Sequence, residues 1–179
     1  MVFIVGVSGS KRKGSATLAL VNEMLKACQK HGATTELIDL AQIELPFFDN
    51  RESWDYGPEA ERIHQLLEKA DGFVIGSPEY HGSMSGALKN FFDLLDYERV
   101  VAGKPAAFGG VAGGRARAMS VLNHFFVVAR ALKMWPVPLV VGLNHDDFNE
   151  QWHVKDKTIM DRIDLVAKEL VKAASVLRK

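Results

Sequence analysis

Residues 8–17, Ser8-Gly9-Ser10-Lys11-Arg12-Lys13-Gly14-Ser15-Ala16-Thr17, bring four hydroxyls, three cations and two glycines into one short stretch. Residues of these types can hold an anion. Gly9 and Gly14 let backbone N–H groups turn and approach closely. Ser8, Ser10, Ser15 and Thr17 can donate hydroxyl protons to phosphate oxygens, and Arg12 can add a charge-assisted fork. The stretch opens a helix, whose N-terminal dipole favours the same charge. Two phosphate motifs are excluded. Gly14 is followed directly by Ser15, so the lysine of a Walker loop is missing, and Gly6, Gly9 and Gly14 lack the G-x-G-x-x-G spacing of a dinucleotide fold. A terminal monophosphate, held by hydroxyls and backbone without magnesium, fits the residue types better. A serine-rich helix cap with no ligand is the competing reading, and this loop alone does not separate the two.

A second loop follows an apolar run at 71–76. It reads Ser77-Pro78-Glu79-Tyr80-His81-Gly82 and leads into Ser85-Gly86-Ala87-Leu88-Lys89-Asn90. With Gly9-Ser10-x-Arg12-x-x-Ser15, these two motifs make the sequence resemble the NAD(P)H-dependent FMN reductase family of the flavodoxin-like superfamily, over almost the whole chain. His81 makes it most similar to the azobenzene and quinone reductase members. The resemblance implies that Ser10, Arg12, Ser15 and Thr17, with Ser8 and Ala16 in the same loop, hold the phosphate of FMN. It implies that Pro78, Glu79, Tyr80, His81 and Gly82 run along the isoalloxazine, and that Ala112, Gly113 and Gly114 lie beside its pyrimidine edge. No catalytic side chain is implied, because the flavin carries the chemistry.

The implied activity passes a hydride from NADPH or NADH, through FMN, to a quinone, an azo compound or free flavin. A flavodoxin-type electron carrier with no substrate of its own is the alternative. Such carriers are strongly acidic, whereas this chain has a formal net charge of zero. Hydride transfer needs no general base, so Glu79 reads as orienting its loop by hydrogen bonds. Arg115 and Arg117 read equally as partners for the 2′-phosphate of NADPH or as solvated charges at a helix start. Cys28 falls on the apolar face of a helix and reads as core. His31, His64, His124, His145 and His153 have no ligand spacing, so no metal site is expected.

Elements that would position these loops alternate along the chain. Short apolar runs at 2–7, 35–40, 71–76, 105–111 and 137–141 read as strands. Amphipathic stretches at 15–31, 59–69, 86–96, 116–133 and 157–178 read as helices. Near-continuous apolar strands between helices indicate a parallel sheet covered on both faces. Five such units predict an α/β, flavodoxin-like three-layer sandwich, one domain over 1–179, with a five-stranded parallel sheet in the order 2-1-3-4-5. The switch between strands 1 and 3 then brings 8–17 and 77–86 to one crevice.

Zero net charge gives no field for nucleic acid or an acidic membrane surface. No apolar run is long enough to span a bilayer, and the N-terminus does not read as a signal peptide. One cysteine excludes an internal disulfide, which suits a reduced, cytoplasmic setting. The expected partners are small-molecule acceptors and further copies of the chain, as a homodimer or homotetramer. Phe91, Phe92, Leu95 and Tyr97, and the long segment 43–58 with Phe47, Phe48, Trp54 and Tyr56, read equally as contacts between copies or as core packing within one copy.

Overall fold

In the computed structural model, residues 1–114 and 116–178 are described, with the backbone alone at Ser53 and Trp54. Arg115 and the Trp54 side chain, both named above, therefore lie outside the described part. The run Phe3–Ser8 forms β1, and its side chains alternate between two buried faces. It is joined by β2 (Thr34–Asp39), β3 (Gly72–Pro78), β4 (Pro105–Ala112) and the short pieces β5 (Trp135–Pro136) and β6 (Val141–Asn144). All pairings are parallel, in the order β2-β1-β3-β4-β5, with β6 also on β4. This is the 2-1-3-4-5 order of flavodoxin-like sheets.

Helices cover both faces, as the unbroken apolar strands require. On one side α1 (Ala16–Lys30) and α6 (Lys157–Leu177) bury Leu20, Val21, Ile163 and Leu170 against Ile4, Val74 and Val141. On the other, α2 (Pro58–Lys69), α3 (Gly86–Asp93), the single turn α4 (Tyr97–Val100) and α5 (Met119–Ala131) pack on Val5, Val7, Phe73 and Phe108. Phe108 stacks on Phe125 of α5 with ring centres 4.7 Å apart.

Two elements differ from the sequence reading. The run 137–141 is not a continuous fifth strand. Pro136 and Pro138 lack the N–H that a ladder needs, so pairing breaks and the chain bulges. Pro136–Val141 spans what Ala106–Gly109 spans on β4. The strand that reaches the sheet's C-terminal edge is therefore β6, ending at Asn144. The predicted helix 86–96 also stops early, at Asp93. His64 of α2 donates from Nδ1 to the Ala60 carbonyl (2.7 Å), and its Nε2 accepts from the Asp96 N–H (2.9 Å). That second bond fixes the start of α4 instead.

Cys28 lies on the buried face of α1, in the core. Burial pushes its thiol from 9.0 up to about 12, which denies it the reactive thiolate at neutral pH. The native protein should therefore react with an aromatic disulfide reagent only as fast as it unfolds, and at once in denaturant. Rapid labelling of the native chain would contradict this. Above pH 9 the unfolded thiol ionises first while the folded one keeps its proton, so this group's contribution to stability falls between pH 9 and about 12.

Candidate functional site

Four loops meet at the C-terminal ends of β1, β3, β4 and β6. The first two are stitched together by glycine and serine. The Gly9 N–H donates to the Gly76 carbonyl (2.8 Å), and a Cβ on Gly9 would lie 2.9 Å from that same oxygen. Only glycine allows this approach. Ser85 caps α3, accepting from the Leu88 N–H (3.1 Å), and its hydroxyl donates back to the Gly9 carbonyl (2.5 Å). Its own N–H donates to Ser77 Oγ (3.1 Å). Ser85→Ala removes the cap and leaves a buried carbonyl unpaired. We expect a loss of about 2 kcal/mol, read by denaturant unfolding. An unchanged midpoint would mean that the stitch carries no stability.

Within the first loop the hydroxyls are used in part. Ser10 Oγ accepts from the Arg12 N–H (3.2 Å), and Ser15 Oγ accepts from the Leu18 N–H (3.1 Å) as the cap of α1. A hydroxyl has one proton and two lone pairs, so each bond consumes a lone pair and spares the O–H. The N–H groups of Ala16 and Thr17 belong to the first turn, where no preceding helical carbonyl can accept them. Ser8 Oγ is buried with no partner. Lys11 is occupied, donating to the Ile43 carbonyl (2.9 Å) and Glu44 (3.0 Å). Among the described residues Arg12 is in no ion pair.

The second loop is a tight two-residue turn. Tyr80 and Ser83 exchange backbone hydrogen bonds (2.9 and 3.0 Å) around His81 and Gly82, whose φ values are 51° and 77°. Both central residues are left-handed, the requirement of a type I′ turn. Histidine is among the few side chains found there with any frequency. Ser83 Oγ lies 3.1 Å from His124 Nδ1, which ties the turn to α5. Glu79 also reaches α5: its carboxylate accepts from the Val121 N–H (3.0 Å). Ala118, at the cap position of α5, has no side-chain acceptor, and Glu79 supplies one from across the sheet.

The third loop is pinned by an ion pair. Arg117 and Ala118 are both left-handed, at φ 47° and 61°. Arg117 donates to Asp147 (2.9 Å), which in turn accepts from the Asn144 N–H (2.8 Å). The Arg117 side chain is thus committed to the turn 145–147.

These loops enclose a cleft of about 140 Å³. It is lined by Ser10, Arg12, Ser15, Ala16, Thr17, Pro78, Glu79, Tyr80, Ala112 and Gly113, with Val111 and His145. Of the residues named from sequence, Ser8, His81, Gly82 and Gly114 stay off this wall. His145 was missed because the fifth strand read as ending at 141, whereas β6 carries the chain on to the cleft. A larger cavity of about 370 Å³ sits at the opposite end of the sheet, beside Glu68, Arg99 and Lys104. Of the cations on its wall, Arg99 is engaged by Glu61 and Glu68, and Lys104 by the Leu67 and Glu68 carbonyls. The cleft between the loops keeps hydroxyl donors on Ser10 and Ser15 and the guanidinium of Arg12.

Residues 2–147 match the family described as NADPH-dependent FMN reductase, more than half of the chain. The chain belongs to that family. The chain is 38% identical over 141 residues to an NADPH azoreductase of Bacillus sp. (strain OY1-2), covering 79% of this chain and 76% of the other. It is 32% identical over 178 residues to an FMN-dependent NADPH-azoreductase of Staphylococcus aureus, covering 92% and 91%. Its fold superimposes with a TM-score of 0.81 on a flavoenzyme NAD(P)H:(acceptor) oxidoreductase of Paracoccus denitrificans, at 20% identity and 99% of both chains. None of the described helices is long and apolar enough to cross a membrane.

Proposed function

We propose that the protein is an NAD(P)H-dependent, FMN-containing oxidoreductase that passes a hydride from the nicotinamide to a quinone, an azo compound or free flavin. The observation that carries this reading is the meeting, in one cleft, of spare phosphate donors from the first loop with residues of the second and third loops. Ser10, Arg12, Ser15 and Thr17 line it from the first loop, and Pro78, Tyr80, Ala112 and Gly113 from the ends of β3 and β4. The residues fit FMN, since Ser10 and Ser15 keep their hydroxyl protons and Arg12 pairs with no carboxylate among the described residues.

A bound FMN supplies hydride chemistry that no side chain in the cleft possesses. The chain's own work is binding, orientation and electrostatics. Arg12 and the N-terminus of α1 offset the charge of a phosphate. Gly113 carries no side chain and would meet no atom within 4 Å at a Cβ, so its backbone stays open to a ring edge. Donors at that edge favour negative charge on the group they face. Glu79 keeps its carboxylate on α5 and orients its loop. Arg117 is committed to Asp147 rather than to the 2′-phosphate of NADPH, and either NADPH or NADH serves as hydride donor in this reading. Assembly as a homodimer or homotetramer belongs to the same reading. Phe47, 83% exposed beside an apolar groove lined by Ile43, Leu45 and Ala87, is the surface offered.

The test is the absorbance spectrum of the purified protein before and after NADH or NADPH is added in separate cells. A flavin spectrum that bleaches with a nicotinamide and returns with a quinone is expected. A protein that takes up no FMN and oxidises no nicotinamide with FMN and a quinone present would refute the reading.

A further inference from the structure

Arg12 has an aromatic neighbour from the far end of the chain. Its guanidinium carbon lies 5.7 Å from the centre of the Trp152 ring, within the range over which a cation and a π face attract. Trp152 lies beyond residues 2–147, the part that matches the family. It is carried on a loop that is closed on itself. Asn149 Oδ1 accepts from the N–H groups of Gln151 (3.0 Å) and His153 (2.8 Å), and the Trp152 N–H donates to the Asn149 carbonyl (3.0 Å). Phe148 and Val154 pair across the base. The indole is boxed edge-on by Phe148 at 5.6 Å and His145 at 6.1 Å, and the latter also lines the cleft. Trp152 holds a left-handed backbone, φ 60°, which bulky residues rarely adopt.

A guanidinium lying on a ring presents its N–H edge outward, and that edge is what grips a phosphate in two places. An exposed arginine otherwise loses rotamer freedom when it binds. We propose that Trp152 is a positioning residue for phosphate: it holds the face of Arg12, so that the preference of the cleft for a flavin with a phosphate over one without depends on this ring. The inference rests on the FMN reading of the cleft.

Because Trp152 also packs against the core beside α6, the test must separate positioning from packing. FMN and riboflavin are titrated against the full chain by flavin fluorescence, using wild type, Trp152→Leu, Trp152→Phe, Arg12→Ala and the Arg12→Ala/Trp152→Leu double variant. Trp152→Leu keeps apolar bulk without a π face and should weaken FMN binding about tenfold, with riboflavin unchanged. Trp152→Phe should retain most of the affinity. In the Arg12→Ala background, Trp152→Leu should cost nothing further, because it acts through Arg12. Equal losses for both flavins, an undiminished effect without Arg12, or Phe no better than Leu would each overturn the proposal. So would unchanged FMN binding by Trp152→Leu, which would leave the proposed function standing. A wild type that binds neither flavin would overturn both.

Discussion

Replacing Ser10 and Arg12 together with alanine should lower FMN affinity by about 100-fold or more while the fold survives. A hydrogen bond to a charged group is worth about 1.5–3 kcal/mol, and two of them lost exceed the roughly 2.7 kcal/mol that 100-fold requires. The fold has little stake in either side chain. Ser10 makes one local turn bond, to the Arg12 N–H, and Arg12 is exposed and in no ion pair among the described residues. Flavin fluorescence titration measures the affinity, and a thermal melt checks the fold. Riboflavin is the control, since it lacks the phosphate, and its affinity should hardly change. The wild-type FMN affinity should also weaken with added salt, as screened charges do. If FMN and riboflavin lose affinity alike, or neither does, the first loop does not hold a phosphate.

The second large effect concerns stability, at Gly142 in β6. A Cβ there would lie 2.3 Å from the Arg117 carbonyl oxygen and 3.0 Å from Leu122 Cδ1. A flexible side chain could swing away, but a carbonyl moves only with its backbone. That backbone is held by the Arg117–Asp147 ion pair, the Gly114 carbonyl and the left-handed start of α5. Gly142→Ala should therefore destabilise by about 3 kcal/mol, lowering Tm by roughly 6–12 °C. It should also weaken flavin binding, because the displaced loop carries Gly113. Gly86→Ala is the matched control, since no atom lies within 4 Å of its would-be Cβ. An unchanged melt for Gly142→Ala would show that the 113–118 loop yields freely.

Much of the fold was legible because burial leaves a local mark. Runs such as 71–76 are apolar without alternation, as a strand between two helix layers must be, and the count of such units selects the order 2-1-3-4-5. Legibility failed where the partner strand, not the run itself, decides pairing. Residues 137–141 look like a strand, yet Pro136 and Pro138 cannot donate to β4, so the ladder skips and resumes at Val141. That error of a few residues hid His145 from the candidate site. The same holds for the helix after Ser85, which His64 helps to end from another helix altogether.

For the loop at residues 8–17, the sequence alone determined a capacity: hydroxyls, cations and glycines at a helix start, and the absence of a Walker lysine and of G-x-G-x-x-G. Residue type sets what a group can donate or accept. Only the tertiary structure decided which of those groups remain uncommitted. Lys11 is drawn to Glu44, Arg117 to Asp147 and Glu79 to the N-terminus of α5, while Ser10 and Ser15 keep their protons and Arg12 rests on Trp152. Those commitments link residues tens to more than a hundred positions apart, and such pairs meet only when the sheet has brought their strand ends to one edge.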